Sequence, residues 1–178
     1  MDQKENRKYM ENMGNTENAN YMDQKEIMTG LKALLQELGL EVSEASAEEQ
    51  ERGVILRTLL PLPESGEQAL TEFVLLRLGG GNAILQIYTT ILLDLPAKVY
   101  EVVGQWLLDL NFFCPFGSFG LFTEKGHFYH KYNLILDMEK PGEKEGQSEQ
   151  LSLILGLIQE LIEKKLPELQ ELLEQSFG

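Results

Sequence analysis

A chain of 178 residues with a formal net charge of −14 is long enough for one domain with a real core and too short for two ordinary ones. Its 29 Asp and Glu residues, against 15 Lys and Arg, repel nucleic acid and anionic lipid, so broad binding of either is not expected; that balance suits solubility and a partner with basic patches. With 43% hydrophobic and 25% charged residues, the composition is that of a globular protein rather than a disordered one.

Cys114 is the only cysteine, which rules out an intramolecular disulfide and makes a cytoplasmic chain the simplest expectation. The N-terminal residues hold no long apolar run of the kind a signal peptide needs, and no uncharged apolar stretch reaches the length of about 18 residues that a membrane helix needs. Residues 1–22 are polar and rich in asparagine. Too little surface can be buried there to offset the entropy of ordering, so a disordered tail is expected, with a single α+β domain over 23–178. The peptide MDQKE occurs at Met1–Glu5 and again at Met22–Glu26; an upstream duplication or misplaced start is the plain reading, a functional tail peptide the other.

In chain order, Ile27, Leu31, Leu34, Leu35 and Leu38 make an apolar stripe at helical spacing, which predicts a helix over Asp23–Leu38 that stops at Gly39. Glu37–Glu51 carries six glutamates and no basic residue, the pattern of a solvated connector. A strand follows over Arg52–Leu60, stopped by Pro61 and Pro63, and a second over Leu70–Leu78 after the turn Glu64–Glu67. Gly79–Gly81 reads as a hairpin turn; the pattern of a phosphate-binding loop is absent, as is a helix directly after it.

Asn82–Leu93 is the organising strand. Ala83, Leu85, Ile87, Thr89, Ile91 and Leu93 form one side-chain row, and Ile84, Gln86, Tyr88, Thr90 and Leu92 the other. Neither row is charged, which predicts a central strand whose second row needs cover. Those five residues of the second row are the candidate protein-interaction or dimer surface.

Asp94 is placed to cap a helix with Pro96 in its first turn, ending near Asn111, with Val99, Val102, Val103, Trp106, Leu107 and Leu110 on one face. Phe116–Phe122 predicts a short strand, Glu124–Gly126 a turn and Phe128–Asp137 the last strand. Met138–Ser148 reads as a linker and Glu149–Gln175 as the final helix, with a kink or restart expected near Lys165 because Pro167 lacks an amide hydrogen. The order α-β-β-β-α-β-β-α implies a two-layer α+β sandwich, a five-stranded antiparallel sheet with helices on one face.

No catalytic, cofactor-binding or metal-binding set is discernible. His127 and His130, three apart in a strand, point to opposite faces and make a poor joint ligand pair. Cys114, before Pro115 in an aromatic cluster, reads as a small buried hydrophobe, since no basic run depresses a thiol there. Asp94 and Asp109 flank the middle helix about 22 Å apart, too far to share one small substrate. The aromatics of Phe112–Tyr132 lack the positive groove of a nucleic-acid platform and read as core, with a protein-binding groove as the alternative.

Trp106-Leu107-Leu108-Asp109-Leu110-Asn111, then Pro115–Phe122, then His130–Leu136, resembles the YbjN family, within the wider group that shares the fold of type III secretion chaperones. The resemblance covers about Ile27–Leu173. It implies a small acidic cytoplasmic protein, often dimeric, that binds proteins and supplies no catalytic residue.

A non-enzymatic protein-interaction module, chaperone-like or regulatory, is therefore the first expectation, with a homodimer and a protein client as partners and no nucleic acid, membrane or cofactor. A small-molecule sensor or enzyme using residues 112–132 is one alternative. A structural homo-oligomerisation domain is the other.

Overall fold

The computed structural model describes residues 24–45, 54–77, 82–137 and 147–177. The expected tail, most of the Glu-rich connector, the Gly79–Gly81 turn and most of the Met138–Ser148 linker lie outside the described residues. Helix α1 covers residues 24–37. Strands β1 (Ser43–Glu44), β2 (Ile55–Leu62), β3 (Glu67–Arg77) and β4 (Asn82–Leu92) follow. A single 3-10 turn (Ala97–Val99) leads into α2 (Tyr100–Phe113), then β5 (Ser118–Phe122), β6 (His127–Asp137) and α3 (Gln147–Phe177).

The strands form one antiparallel sheet in the order β1-β2-β3-β4-β6-β5. It has six strands, not the expected five. The addition is β1, where Ser43 and Glu44 pair with Arg57 and Leu56 inside the stretch read as a solvated connector. Backbone pairing alone makes this strand, and both side chains are exposed, so no apolar alternation marks it. β4 lies between β3 and β6, as its uncharged rows require.

One face of the sheet carries the core. Leu56 and Leu60 of β2, Ala69, Phe73 and Leu75 of β3, Ala83, Leu85 and Ile87 of β4 and Phe128 of β6 are buried there. They meet Met28, Leu31 and Leu35 of α1, Val103 and Leu107 of α2, and Leu151, Ile154, Leu155, Ile158 and Ile162 of α3 in one cluster. Burying such side chains stabilises by about 1.5–3 kcal/mol each before entropy is counted.

Local chemistry sets the boundaries. Gly39, at φ 81°, closes α1 in a Schellman turn, with Leu40 N–H donating to Leu35 O at 3.1 Å and Gly39 N–H to Gln36 O at 3.0 Å. β2 continues through Pro61 instead of stopping before it. Ile55 O accepts from Ala45 N–H on the β1 side, so by alternation the missing Pro61 N–H also faces that outer edge, where no ladder bond is lost. Asp94 is not a cap. It stands at φ 56°, and neither the 3-10 turn nor α2 has a side-chain N-cap bond; Leu95 N–H instead bonds Gly126 O at 2.9 Å, tying the chain to the β5–β6 turn. α3 runs on through Pro167 without the expected restart, with Leu166 and Leu169 buried on either side.

Candidate functional site

Cross-strand register places Ile84, Gln86, Tyr88 and Thr90 together on the sheet face opposite the core. Ile84 lies between Leu76 and Ile135 in an apolar row. Gln86 Nε2 donates to Asn133 Oδ1 at 3.1 Å. Tyr88 stacks on Tyr129 with centroids 4.4 Å apart, and burial first, then Tyr129 and Glu72, pushes its phenol up to about 12, so it stays a neutral donor. Thr90, with Leu70 and Tyr129 as its cross-strand partners, is buried. Leu92 does not join them. A bulge after Thr90 sets Leu92 opposite Phe128, a core residue, because the extra residue shifts the register by one.

This outer face is open. Leu70, Val74, Ile84 and Tyr88 are outside the core cluster, and Ile135 is 70% exposed and Leu59 51%. Between the sheet's ends its described charges are Arg57, Glu72 and Lys131, with Arg57 Nε paired to Glu72 Oε1 at 2.7 Å. The face is thus nearly neutral on a chain of net charge −14. Acid gathers in the helical layer, where α3 alone has six glutamates and two lysines.

The sheet edges are guarded. At one, β1 is two residues long, Pro61 has no N–H, and Gln159 Nε2 from α3 donates to Pro61 O at 2.6 Å. At the other, Asn111 of α2 bonds β5 with both ends of its amide: Nδ2 donates to Phe119 O and Oδ1 accepts from Phe119 N–H, each at 2.8 Å. The side chain stands where a further strand would pair with β5.

A second surface lies in the helical layer. The end of α2, the Cys114–Phe116 segment and the middle of α3 line a groove of about 580 Å³. Trp106, Leu110, Phe113, Cys114, Pro115 and Phe116 face Leu157 and Leu161, and the charged lining is Asp109, Glu160, Glu168, Lys164 and Lys165. Phe112 and Phe113, read from the sequence as core, are 81% and 79% exposed; their rings meet edge to face, 4.9 Å apart. They fall in the last turn of α2, beyond Leu110, its last buried residue. Leu153 is also exposed. Trp106 packs on Phe128 at 6.0 Å yet lines the groove, so it is only partly the core anchor expected.

Behind the groove, Thr58, Thr71, Thr89 and His130 form a row across β2, β3, β4 and β6 on the core face, each buried. Thr58 Oγ1 donates to Glu41 O at 2.8 Å, and Thr71 and Thr89 share a bond of 3.2 Å. His130 Nε2 binds Phe116 O at 2.9 Å, while its Nδ1 has no partner. Burial lowers its pKa, with the Phe116 bond acting in the opposite sense. The Cys114 thiol donates to the same carbonyl at 3.3 Å. His130 is thus committed to a backbone oxygen and has no hydrogen bond to the thiol. His127, with Phe122 as its partner in β5, is on the opposite face, as strand alternation requires.

Among the described residues no group of three or more His, Cys, Asp or Glu side chains could hold a metal ion, and no helix is long and apolar enough to cross a membrane. His130 does not line the groove. No protein-family model matches the chain, and no curated protein matches its sequence.

Sequence reasoning missed Asn111 and the exposed Phe112–Phe113 pair. Asparagine at a helix end reads as a terminator, and nothing local shows that its amide meets a strand. The two phenylalanines did carry a signal, since they lie past the last residue of the α2 stripe.

Proposed function

We propose that this chain is a non-enzymatic protein-interaction module, chaperone-like or regulatory, that binds a polypeptide partner through its helical groove and a second copy of itself through the open sheet face. The Phe112–Phe113 pair carries this reading. Two neighbouring aromatic rings held in water beside an apolar groove cost solvation free energy that a partner's apolar side chains would recover. The partner that fits is a segment with apolar anchors flanked by Lys or Arg, because three acids against two lysines line the groove and the charged residues in the rest of α3 are all glutamates. The resemblance to secretion chaperones points the same way. A small-molecule reading has one observation in its favour, since the groove volume is within the range of about 300–1,000 Å³ common for ligand pockets.

The test uses Trp106, the only tryptophan, as reporter. Synthetic peptides with Leu/Phe anchors and flanking lysines are expected to shift its emission and bind. The same anchors flanked by glutamate should bind at least tenfold more weakly, and so should the lysine peptide to the double variant Phe112→Ser/Phe113→Ser, each a loss of about 1.4 kcal/mol or more. Equal affinity for both peptides would overturn the proposed partner chemistry, and no binding by either would overturn the groove as a peptide site.

The sheet-face contact is tested separately. A nearly neutral face with the apolar row Leu76, Ile84 and Ile135 lets two copies meet without opposing their acidic layers. Sedimentation is expected to show twice the chain mass of 20.2 kDa, falling to the single mass in Ile135→Glu, whose side chain is too exposed to matter for folding. A wild-type chain that is monomeric at about 100 μM removes this interface and leaves the groove reading untouched.

A further inference from the structure

The groove's inner wall is the Cys114–Phe116 segment, which belongs to no helix or strand. His130 holds it from behind. Its Nε2 lies 2.9 Å from Phe116 O, Phe116 stacks on Tyr132 at 4.0 Å, and Gly117 sits so close that a Cβ there would be 2.5 Å from His130 Nε2. The other ring nitrogen faces the core unpartnered, in a side chain with no exposure.

We propose that His130 is a proton-operated latch on this wall, closed when the imidazole is neutral and released when it is protonated; the inference rests on the groove being the partner site. In the neutral ring, Nε2–H donates to Phe116 O and Nδ1 carries a lone pair, which can stay bare at modest cost. Protonation adds a hydrogen at Nδ1 and a full charge, and both then need an acceptor or water.

None is at hand. From β4, the residue opposite is Thr89, whose hydroxyl bonds Thr71 and makes no hydrogen bond to the ring. From β5, Phe119 presents a ring 5.0 Å away. From the connecting segment come Phe116 O, Gly117 and the Cys114 thiol, which donates to that same oxygen. α2 reaches this corner through the neutral Asn111 amide bonded to Phe119. Burial lowers the His130 pKa, and the bond to Phe116 opposes it. β6 itself cannot yield, because it is paired to β4 and β5 on its two sides. The 114–117 segment is the element that can move and admit water.

The sign follows from burial, which depresses the pKa of the closed form below the ordinary 6.5. Above pH 6.5 neither form is protonated at His130, and closure is unaffected. As pH falls below 6.5 the open form takes up a proton that the closed form refuses. Closure therefore weakens by up to tenfold per pH unit, until the pH reaches the depressed value.

Hydrogen exchange between pH 8 and 5, without any partner, tests this. The protection factor of the Phe119 amide, bonded to Asn111 beside the latch, is expected to fall by up to about tenfold for each unit below 6.5, while that of Phe73 in β3 stays constant. Trp106 emission should shift over the same range. The chain with His130→Gln, whose amide nitrogen reaches about as far as Nε2 and does not titrate, should lose both changes, and that with His127→Gln should keep them. Protection at Phe119 that stays flat while the His130 ring resonances titrate overturns the latch, and that measurement needs no variant. A change that survives in His130→Gln overturns it as well. If the latch operates and the lysine-flanked peptides do not bind, only the partner reading falls.

Discussion

Gly117→Ala is expected to destabilise the fold by about 3 kcal/mol or more, lowering the melting temperature by roughly 6–12 °C. Two costs combine. Gly117 stands at φ 73°, where an L side chain costs about 1–2 kcal/mol. A Cβ there would also be 2.5 Å from His130 Nε2 and 2.6 Å from Lys131 O. The carbonyl belongs to a paired strand and the imidazole to a buried ring bonded to Phe116, so neither gives way cheaply. Gly39→Ala separates the two costs. Gly39 has a similar φ of 81°, but nothing lies within 4 Å of the position its Cβ would take, so only the backbone cost of about 1–2 kcal/mol applies. Denaturant titrations that return the same loss for both variants would show that the close approach of Gly117 to His130 carries no energy.

This contrast bears on what the chain discloses before it is folded. The absence of charge from both rows of β4 is written in the chain, and so is the alternation of the inward residues Phe128, His130 and Tyr132 of β6; both follow from burial, which is a property of each residue. The helical stripes were legible for the same reason. Pairwise facts were not. β1 exists because Ser43 and Glu44 meet the backbone of β2, and Leu92 leaves its row because of a single bulge; neither event has a local signature. Asp94 misled in a related way. Its side chain suits a cap, but the backbone bond from Leu95 to Gly126, over 30 positions away in sequence, decides how the chain enters α2.

The candidate site divides along the same line. Four of the five residues expected on the outer sheet face are there, since strand periodicity dictates it. The groove was foreseen only as an alternative for an aromatic stretch, because residues from α2 and α3 form it together and their meeting is tertiary. The charge asymmetry between the layers is likewise invisible in the net charge of −14. It appears once the strands are seen to carry few charges on the open face and the last helix many.

Asn111→Ala should cost about 2 kcal/mol or more and should also make the chain prone to self-association. The amide of Asn111 satisfies both backbone groups of Phe119, and its removal leaves an N–H and a C=O unpaired beside a buried ring, each costing about 1–3 kcal/mol unless water reaches it. Where water does reach them, the stability loss shrinks but β5 becomes an open edge able to pair with another chain. The two outcomes trade against each other, so the variant is measured both ways, by denaturant midpoint and by light scattering against concentration. Asn111→Asp sharpens the test. The carboxylate keeps the acceptor for Phe119 N–H but turns a second oxygen toward Phe119 O, so it should lose about as much stability while its charge discourages strand addition. An alanine variant that unfolds within about 0.5 kcal/mol of the parent and scatters no more light would mean that Asn111 neither holds β5 nor guards it. The sheet would then be open at this edge, and a partner could add there as a seventh strand instead of lying in the groove.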